Sequence, residues 1–319
     1  MFQFKNCEEL LKLCAEQKTD ISQIAIKYEM EISGKSRAKV RDKMKQVRDT
    51  MWEAIQTGIK ATDKSQYGLV GGDAKKVYDG TKNMANLLGS KVGVRAMAYA
   101  LATNEQNARM GKIVAFPTAG GSGVVPGVLF STFEHMKSSK RKMLNALFAA
   151  SALGIAILEH GGTFSAAKAG CQAEVGIGTA MAAAGVTEMR GGTPEQCINA
   201  AALALKNMLG LACDPLGGLV EVPCVKRNAI YVNVALGASD LSLLGVVSVI
   251  PMDQVVEAMM NISAHMSETI RETALGGLAV TKKGLELRKK MGLPPIPEKY
   301  LNRKIGAAPA CRNKCNGCG

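Results

Sequence analysis

The sequence is poor in aromatic residues, which make up 4 % of its 319 residues. An aromatic-rich sheet sandwich is therefore not expected. No secretory signal opens the chain, because Met1-Phe2-Gln3-Phe4-Lys5 runs straight into a charged amphipathic stretch. The longest apolar run, Met143 to Leu158, is interrupted by Asn145, Ser151 and Gly154 and is slightly short for a bilayer span. It reads as a buried core helix, and no membrane role is expected. The implied protein is soluble and cytoplasmic. No fixed-period repeat occurs, nor does any aromatic-interleaved basic stripe or zinc-finger helix, so nucleic acid is set aside as a partner.

What is present points to helix packed on helix. Hydrophobic residues reach 47 %, which excludes wholesale disorder. The interior-type residues are mostly small or aliphatic, and small residues let helices approach closely. Three amphipathic helices are expected first. One runs from near Asn6 to Gln17, and a second follows Asp20 as its cap and stops near Gly34. The third carries Val40, Met44, Val47, Met51, Ile55 and Ile59 at three- and four-residue steps, with Trp52 packed beside them. A further helix is expected over Pro251 to Arg271, whereas Pro294-Pro295-Ile296-Pro297 interrupts the polar segment after Thr281.

The net charge is +13, from 40 Lys and Arg against 27 Asp and Glu. The basic runs Lys35 to Arg41 and Lys137 to Lys142 read as solvated helix faces, or as contacts for an acidic partner or anionic substrate. Between Ser65 and Gly218, five glycine clusters alternate with helices: Gly71-Gly72, Gly120-Gly121-Ser122-Gly123, Gly161-Gly162, Gly191-Gly192 and Gly217-Gly218. They raise the expectation that several helix ends converge on a ligand.

Nine cysteines without a secretory context are not a disulfide framework. Cys7 and Cys14 lie in an ordinary helical stretch. Cys311, Cys315 and Cys318 share the C-x3-C-x2-C spacing of enzymes that cleave S-adenosylmethionine. One glycine follows Cys318, however, so that cofactor's barrel cannot follow, and a zinc-binding thiol tail is the plainer alternative. Cys171 follows Ala169-Gly170. Cys213 and Cys224 bracket a segment whose two prolines and double glycine force it to loop, which can return its ends to one point. A single buried cysteine is an ordinary core residue, so spacing alone leaves a metal site open.

The strings Pro117-Thr118-Ala119-Gly120-Gly121-Ser122-Gly123-Val124-Val125-Pro126-Gly127, Ala169-Gly170-Cys171-Gln172-Ala173-Glu174-Val175-Gly176 and Cys213-Asp214-Pro215 through Val222-Pro223-Cys224 resemble the iron–sulfur L-serine dehydratase alpha chain. The resemblance covers nearly the whole chain. It implies an all-α fold, with a single helical catalytic domain over residues 1–304 and a mobile Cys-rich tail over 305–319. It also implies a 4Fe–4S cluster held by Cys171, Cys213 and Cys224, with one iron open to act as a Lewis acid on serine's β-hydroxyl. The implied products are pyruvate and ammonia, made without pyridoxal phosphate. Cys318, with Cys315 and Cys311 as competing alternatives, would be an exchangeable ligand of the open iron. A Ser-Ser-Ser-His-Thr-type motif found in the family's other domain is missing, which implies a beta subunit that completes the site as a heterodimer.

Other residues fall into place around that reading. Thr118, Gly120, Gly121 and Ser122 are expected to bind substrate through hydroxyls and backbone N–H groups. Ser122 and Lys168 are candidate catalytic groups, Lys168 as a partner for the substrate carboxylate or the anionic cluster. Asn228 is a candidate for substrate binding, and it or Asn233 could instead support the thiolates or be plain helix polar residues. His160 is either a helix-end residue or a polar group of the site. Two other readings stand beside this one: a related iron–sulfur hydro-lyase acting on another small hydroxy or amino acid, and a zinc-binding scaffold that uses the tail thiols.

Overall fold

A computed structural model describes residues 2–301 of the chain. Met1 and residues 302–319 lie outside the described residues, and with them Cys311, Cys315, Cys318 and the expected boundary at residue 304. Among the described residues there is no strand; a single isolated bridge pairs Cys213 with Arg271. The expected all-α class is what the structure shows.

The three opening helices are α1 (Cys7–Gln17), α2 (Ile21–Ser33) and α3 (Arg37–Gly58). Asn6 caps α1 by accepting from the Glu9 N–H at 2.8 Å, and Gly34 ends α2 in the left-handed region. Trp52 stacks on Phe130 and meets Tyr99 edge-on, as its place beside the α3 stripe implies.

The cap expected from Asp20 is not made. Glu188, 166 residues along the chain, accepts from the Ser22 N–H at 3.1 Å instead. The same arrangement recurs twice. Asp253 accepts from the N–H groups of Cys7 and Glu8 at 2.9 and 3.0 Å. Glu105 accepts from Asp73 and Ala74 at 2.9 and 3.3 Å. A helix N-terminus carries unpaired N–H groups and a partial positive charge, so a carboxylate docked from another helix satisfies both at once.

Helices α4 (Asp73–Gly80), α5 (Lys91–Ala108), α6 (Val124–His135) and α7 (Lys140–Glu159) follow. Next come the short α8 (Ala166–Ala169), then α9 (Ile177–Met189), α10 (Pro194–Lys206) and α11 (Cys224–Leu243). Every residue of α9 is buried, and α6, α7, α10 and α11 surround it. A helix apolar on all sides can sit only at the centre of such a bundle. Small residues make that possible: a Cβ on Gly185 would stand 2.7 Å from the Ala146 carbonyl oxygen on α7. Helix α7 is long and apolar enough to cross a bilayer, with mean hydropathy 1.4, but most of it is buried among the other helices.

The helix expected over Pro251 to Arg271 is shorter: α12 (Met252–His265) gives way to a 3-10 turn at Glu268–Ile270. Two further helices, α13 (Lys282–Lys290) and α14 (Glu298–Leu301), flank the proline run.

Candidate active site

Two distant segments bring Cys171, Cys213 and Cys224 together at one end of α9. Cys171 is followed by a π-helical turn, Gln172–Gly176, that leads directly into α9. Gly170 has φ +71°, and a Cβ there would stand 2.8 Å from the Leu211 carbonyl oxygen. Only glycine fits both demands. The Gln172 side chain then fastens the turn, accepting from the Gly210 N–H at 2.8 Å and donating to Ser263 at 3.0 Å.

Cys213 is held through its backbone. Its N–H donates to Ile270, its carbonyl accepts from Glu272, and both bonds are 2.8 Å. The following loop closes on itself where the Leu216 N–H donates to the Val222 carbonyl at 2.9 Å. Gly217 and Gly218 make the reversal with φ of +62° and +78°. The expected return of the loop's ends is thus observed, and Cys224 emerges as the first residue of α11.

All three thiols are buried. The hydrogen bond from Cys213, helped by the Arg227 guanidinium, holds Cys171 below the ordinary thiol value. The same bond keeps Cys213 protonated, so the two titrate as a pair. Burial and the Cys171 charge push Cys224 up to about 12. Arg227, one turn into α11, also donates to the Ala212 carbonyl at 2.7 Å and pairs with Asp214 at 3.5 Å. Among the described residues, no three His, Cys, Asp or Glu side chains converge on a point that suits a single metal ion. The donor set is nevertheless three soft sulfur ligands beside a fixed cation. A cluster is wider than an ion, and thiolates hold it from its corners rather than meeting at a point.

The Pro117–Gly127 segment, which runs from the loop after α5 into the first turn of α6, lies against this group. Asn228, fully buried on α11, ties it there. Its Nδ2 donates to the carbonyls of Gly120 at 2.7 Å and Cys224 at 2.9 Å, and its Oδ1 accepts from the Gly123 N–H at 3.1 Å. The N–H of Gly121 donates to the Thr118 hydroxyl, and that of Ser122 to the Ala119 carbonyl. The Ser122 hydroxyl is also turned inward, donating to the Ala119 carbonyl at 2.8 Å. The half-buried stretch 117–119 is the part that faces outward.

Glu174, on the π turn, fills the space beside Gly120 and hydrogen-bonds with Thr118. Burial raises its carboxyl above the usual range, against the pull of the Thr118 hydrogen bond. Sequence reasoning did not single out Glu174 or Arg227. Each stands three residues after a candidate ligand, and that spacing was the available signal.

Among the described residues, the remaining candidates make no hydrogen bond with the three thiols. Lys168 is exposed on α8, three residues before Cys171. His160 pairs with Glu257 at 3.1 Å, and Asn233 is exposed well along α11. The five glycine clusters do not all converge. Gly191 ends α9 at the far end from Cys171, roughly 20 Å away at 1.5 Å per helical residue. A cleft of about 580 Å³ opens outside the cysteine loop, walled by Lys64, Tyr67, Arg109, Leu219 and Glu221, but none of the three thiols lines it.

A family profile described as serine dehydratase alpha chain matches residues 16–279. The chain belongs to that family. It is 45 % identical over 288 residues to the probable L-serine dehydratase, alpha chain, of Bacillus subtilis, covering 90 % of this chain and 95 % of that one. It is 39 % identical over 281 residues to the L-serine dehydratase, alpha chain, of Peptoniphilus asaccharolyticus, covering 88 % and 96 %. Against the L-serine dehydratase of Streptomyces coelicolor, identity is 34 % over 287 residues, covering 88 % of this alpha-chain family member but only 61 % of that protein.

Proposed function

We propose that the chain is the alpha subunit of an iron–sulfur L-serine dehydratase, a lyase that converts L-serine to pyruvate and ammonia without pyridoxal phosphate. The observation that carries this reading is the meeting of Cys171, Cys213 and Cys224 beside Arg227, with the glycine segment braced against them. Family membership supplies the substrate class.

These cysteines would hold a 4Fe–4S cluster, which when bound supplies a Lewis acid for the leaving β-hydroxyl. Arg227 offsets the negative charge that three thiolates would otherwise bury unpaired. Asn228 fixes the glycine segment against the first turn of α11, so the outward-facing Thr118 keeps its place relative to Cys224. Lys168, exposed three residues before Cys171, would in this reading pair with the substrate carboxylate or the anionic cluster. Packing around the thiols excludes bulk water from them.

A beta subunit completes the assembly in this reading. Relatives named alpha chain are matched over nearly their whole length, whereas the Streptomyces protein has over a third of its length outside the match. The basic runs on α3 and ahead of α7 are mostly exposed and available to a partner.

The test is anaerobic reconstitution with iron and sulfide. The wild-type chain should gain a visible cluster absorbance, and Cys171→Ala, Cys213→Ala and Cys224→Ala should each lose it. Full cluster retention in all three variants would sink the assignment, and binding of zinc alone would favour a scaffold.

A further inference from the structure

We propose that the outward face of α11 binds the same face of a second copy of this chain, the two helices running antiparallel and crossing at Gly237. The inference stands apart from the dehydratase reading, because it uses none of the residues at the thiols. It begins with the helix. Ile230, Val234, Gly237, Leu241 and Leu244 follow one another at three- and four-residue steps and so form one stripe. The opposite side of α11, with Asn228, Val232, Ala235 and Ser239, is the one buried against α5, α9 and α10. The apolar stripe faces outward instead: Ile230 and Leu241 are exposed, and Leu244 is 82 % exposed.

The loop after α11 extends this surface. Val247 and Ile250 are exposed, and Val249 is 88 % exposed. Exposed loops are usually mobile, but this one is fastened to α10. Asn199 donates to the Val246 carbonyl at 2.8 Å and accepts from the Ser248 N–H at 2.7 Å. Lys206 donates to the Ser248 hydroxyl at 3.1 Å. An apolar projection held rigid in advance loses little entropy when it docks. Stripe and loop together expose on the order of 600 Å² of surface, approaching the roughly 800 Å² that each partner gives to a stable interface.

A second copy is favoured because the projection and a place to receive it lie on the same helix. Towards the N-terminal end of α11, Ala229 and Ile230 form an apolar hollow of about 300 Å³ with Val77, Met97 and Leu101. The apolar loop leaves the other end of the helix, and Leu244 stands about 21 Å from Ile230 at 1.5 Å per residue. Gly237 is midway, seven residues from each. A two-fold axis there exchanges the two ends, so each loop meets the other copy's hollow, which is the reciprocity that a symmetric dimer requires.

Gly237 suits the crossing point. No atom lies within 4 Å of where its Cβ would be, and the missing side chain lets the two helix axes approach closely. The charges beside the stripe are already paired within the chain, Lys226 with Asp73 and Arg190 with Asp240, both at 2.7 Å. They form a polar rim around an apolar centre. A beta subunit has to reach the thiols, and Gly237 stands about 20 Å along α11 from Cys224. The stripe therefore stays available once that subunit is in place, and the full assembly holds two chains of each kind.

The test is the mass of the full chain in solution by sedimentation equilibrium, alone and with its beta subunit. The wild-type chain should have twice the mass of one copy at micromolar concentration, and its complex should hold two of each subunit. Gly237→Glu sets two like charges at the axis, and Val249→Asp puts a charge against the apolar hollow. Each should weaken self-association by at least about 100-fold, with melting temperature and beta-subunit binding unchanged. Both positions face solvent in the single chain, so neither change disturbs its packing. A wild-type chain of single mass throughout the micromolar range, alone and with the beta subunit, would overturn the proposal. So would variants that keep the double mass. Loss of the beta subunit from either variant would also overturn it, since the stripe would then be that subunit's seat.

Discussion

The Glu174 carboxylate occupies the space that a side chain on Gly120 would need: a Cβ on residue 120 would stand 2.7 Å from Oε2 and 3.1 Å from Oε1. The two residues lie on different elements, one in the segment ahead of α6 and the other on the π turn ahead of α9. Their fit sets the glycine segment directly against the Cys171 turn.

Gly120→Ala should therefore push the carboxylate aside rather than unfold the chain, because the atoms in the way are the far end of a flexible side chain. A misplacement of about 1 Å around a reacting centre can cost roughly 10²-fold in rate. The expected outcome is a kcat loss of that order with near-normal thermal stability and cluster absorbance. An alanine variant of full activity would show that the placement of Glu174 is unimportant.

Asn228→Ala should destabilise the fold. It strands the Gly123 N–H in a buried setting and leaves the Gly120 carbonyl with only a long 3.5 Å bond from the Asn104 side chain. Buried polar groups left unpaired cost about 1–3 kcal/mol each, so a loss of roughly 2–5 kcal/mol is expected after partial relaxation. Urea unfolding of wild type and variant measures it directly, and an unchanged midpoint would show that the brace is dispensable.

Glu188 gives a pH-dependent prediction at the opposite end of α9. Burial pushes its carboxyl up to about 7, against the pull of its Ser22 hydrogen bonds. In the unfolded chain it ionises near about 4.3. The folded protein therefore holds this proton more tightly, and the stability it contributes is fully present below about pH 4 and lost as pH rises through about 7. The full span is on the order of 3 kcal/mol. Glu188→Gln keeps an acceptor for Ser22 and removes the charge. Relative to wild type it should be more stable at about pH 8 than at about pH 5, read as the difference in melting temperature. An identical pH dependence in both proteins would exclude Glu188 as its source.

Much of the fold was legible because its cause is local. The three- and four-residue spacing from Val40 to Ile59 marks α3, and Asn6 and Gly34 mark helix ends, since caps and stripes act within a few residues of themselves. Asp20 shows where that logic stops. It is a good cap by residue type, yet the N–H it would have satisfied is taken by Glu188. Likewise the glycine clusters look alike in sequence, but Gly120 lies at the thiols and Gly191 at the far end of α9.

The sequence by itself determined the helical class and the looped path between Cys213 and Cys224, because residue type and short-range spacing decide each of these. The family resemblance, rather than spacing, singles out Cys171, Cys213 and Cys224 as a group. Only the tertiary structure decided which charged groups serve them. Arg227 reaches Cys171 from another helix, and Glu174 gains its meaning from Gly120, 54 residues earlier. Glu105, Glu188 and Asp253 cap helices to which they do not belong. Electrostatic partners are chosen by distance in space, and a linear pattern does not carry that distance.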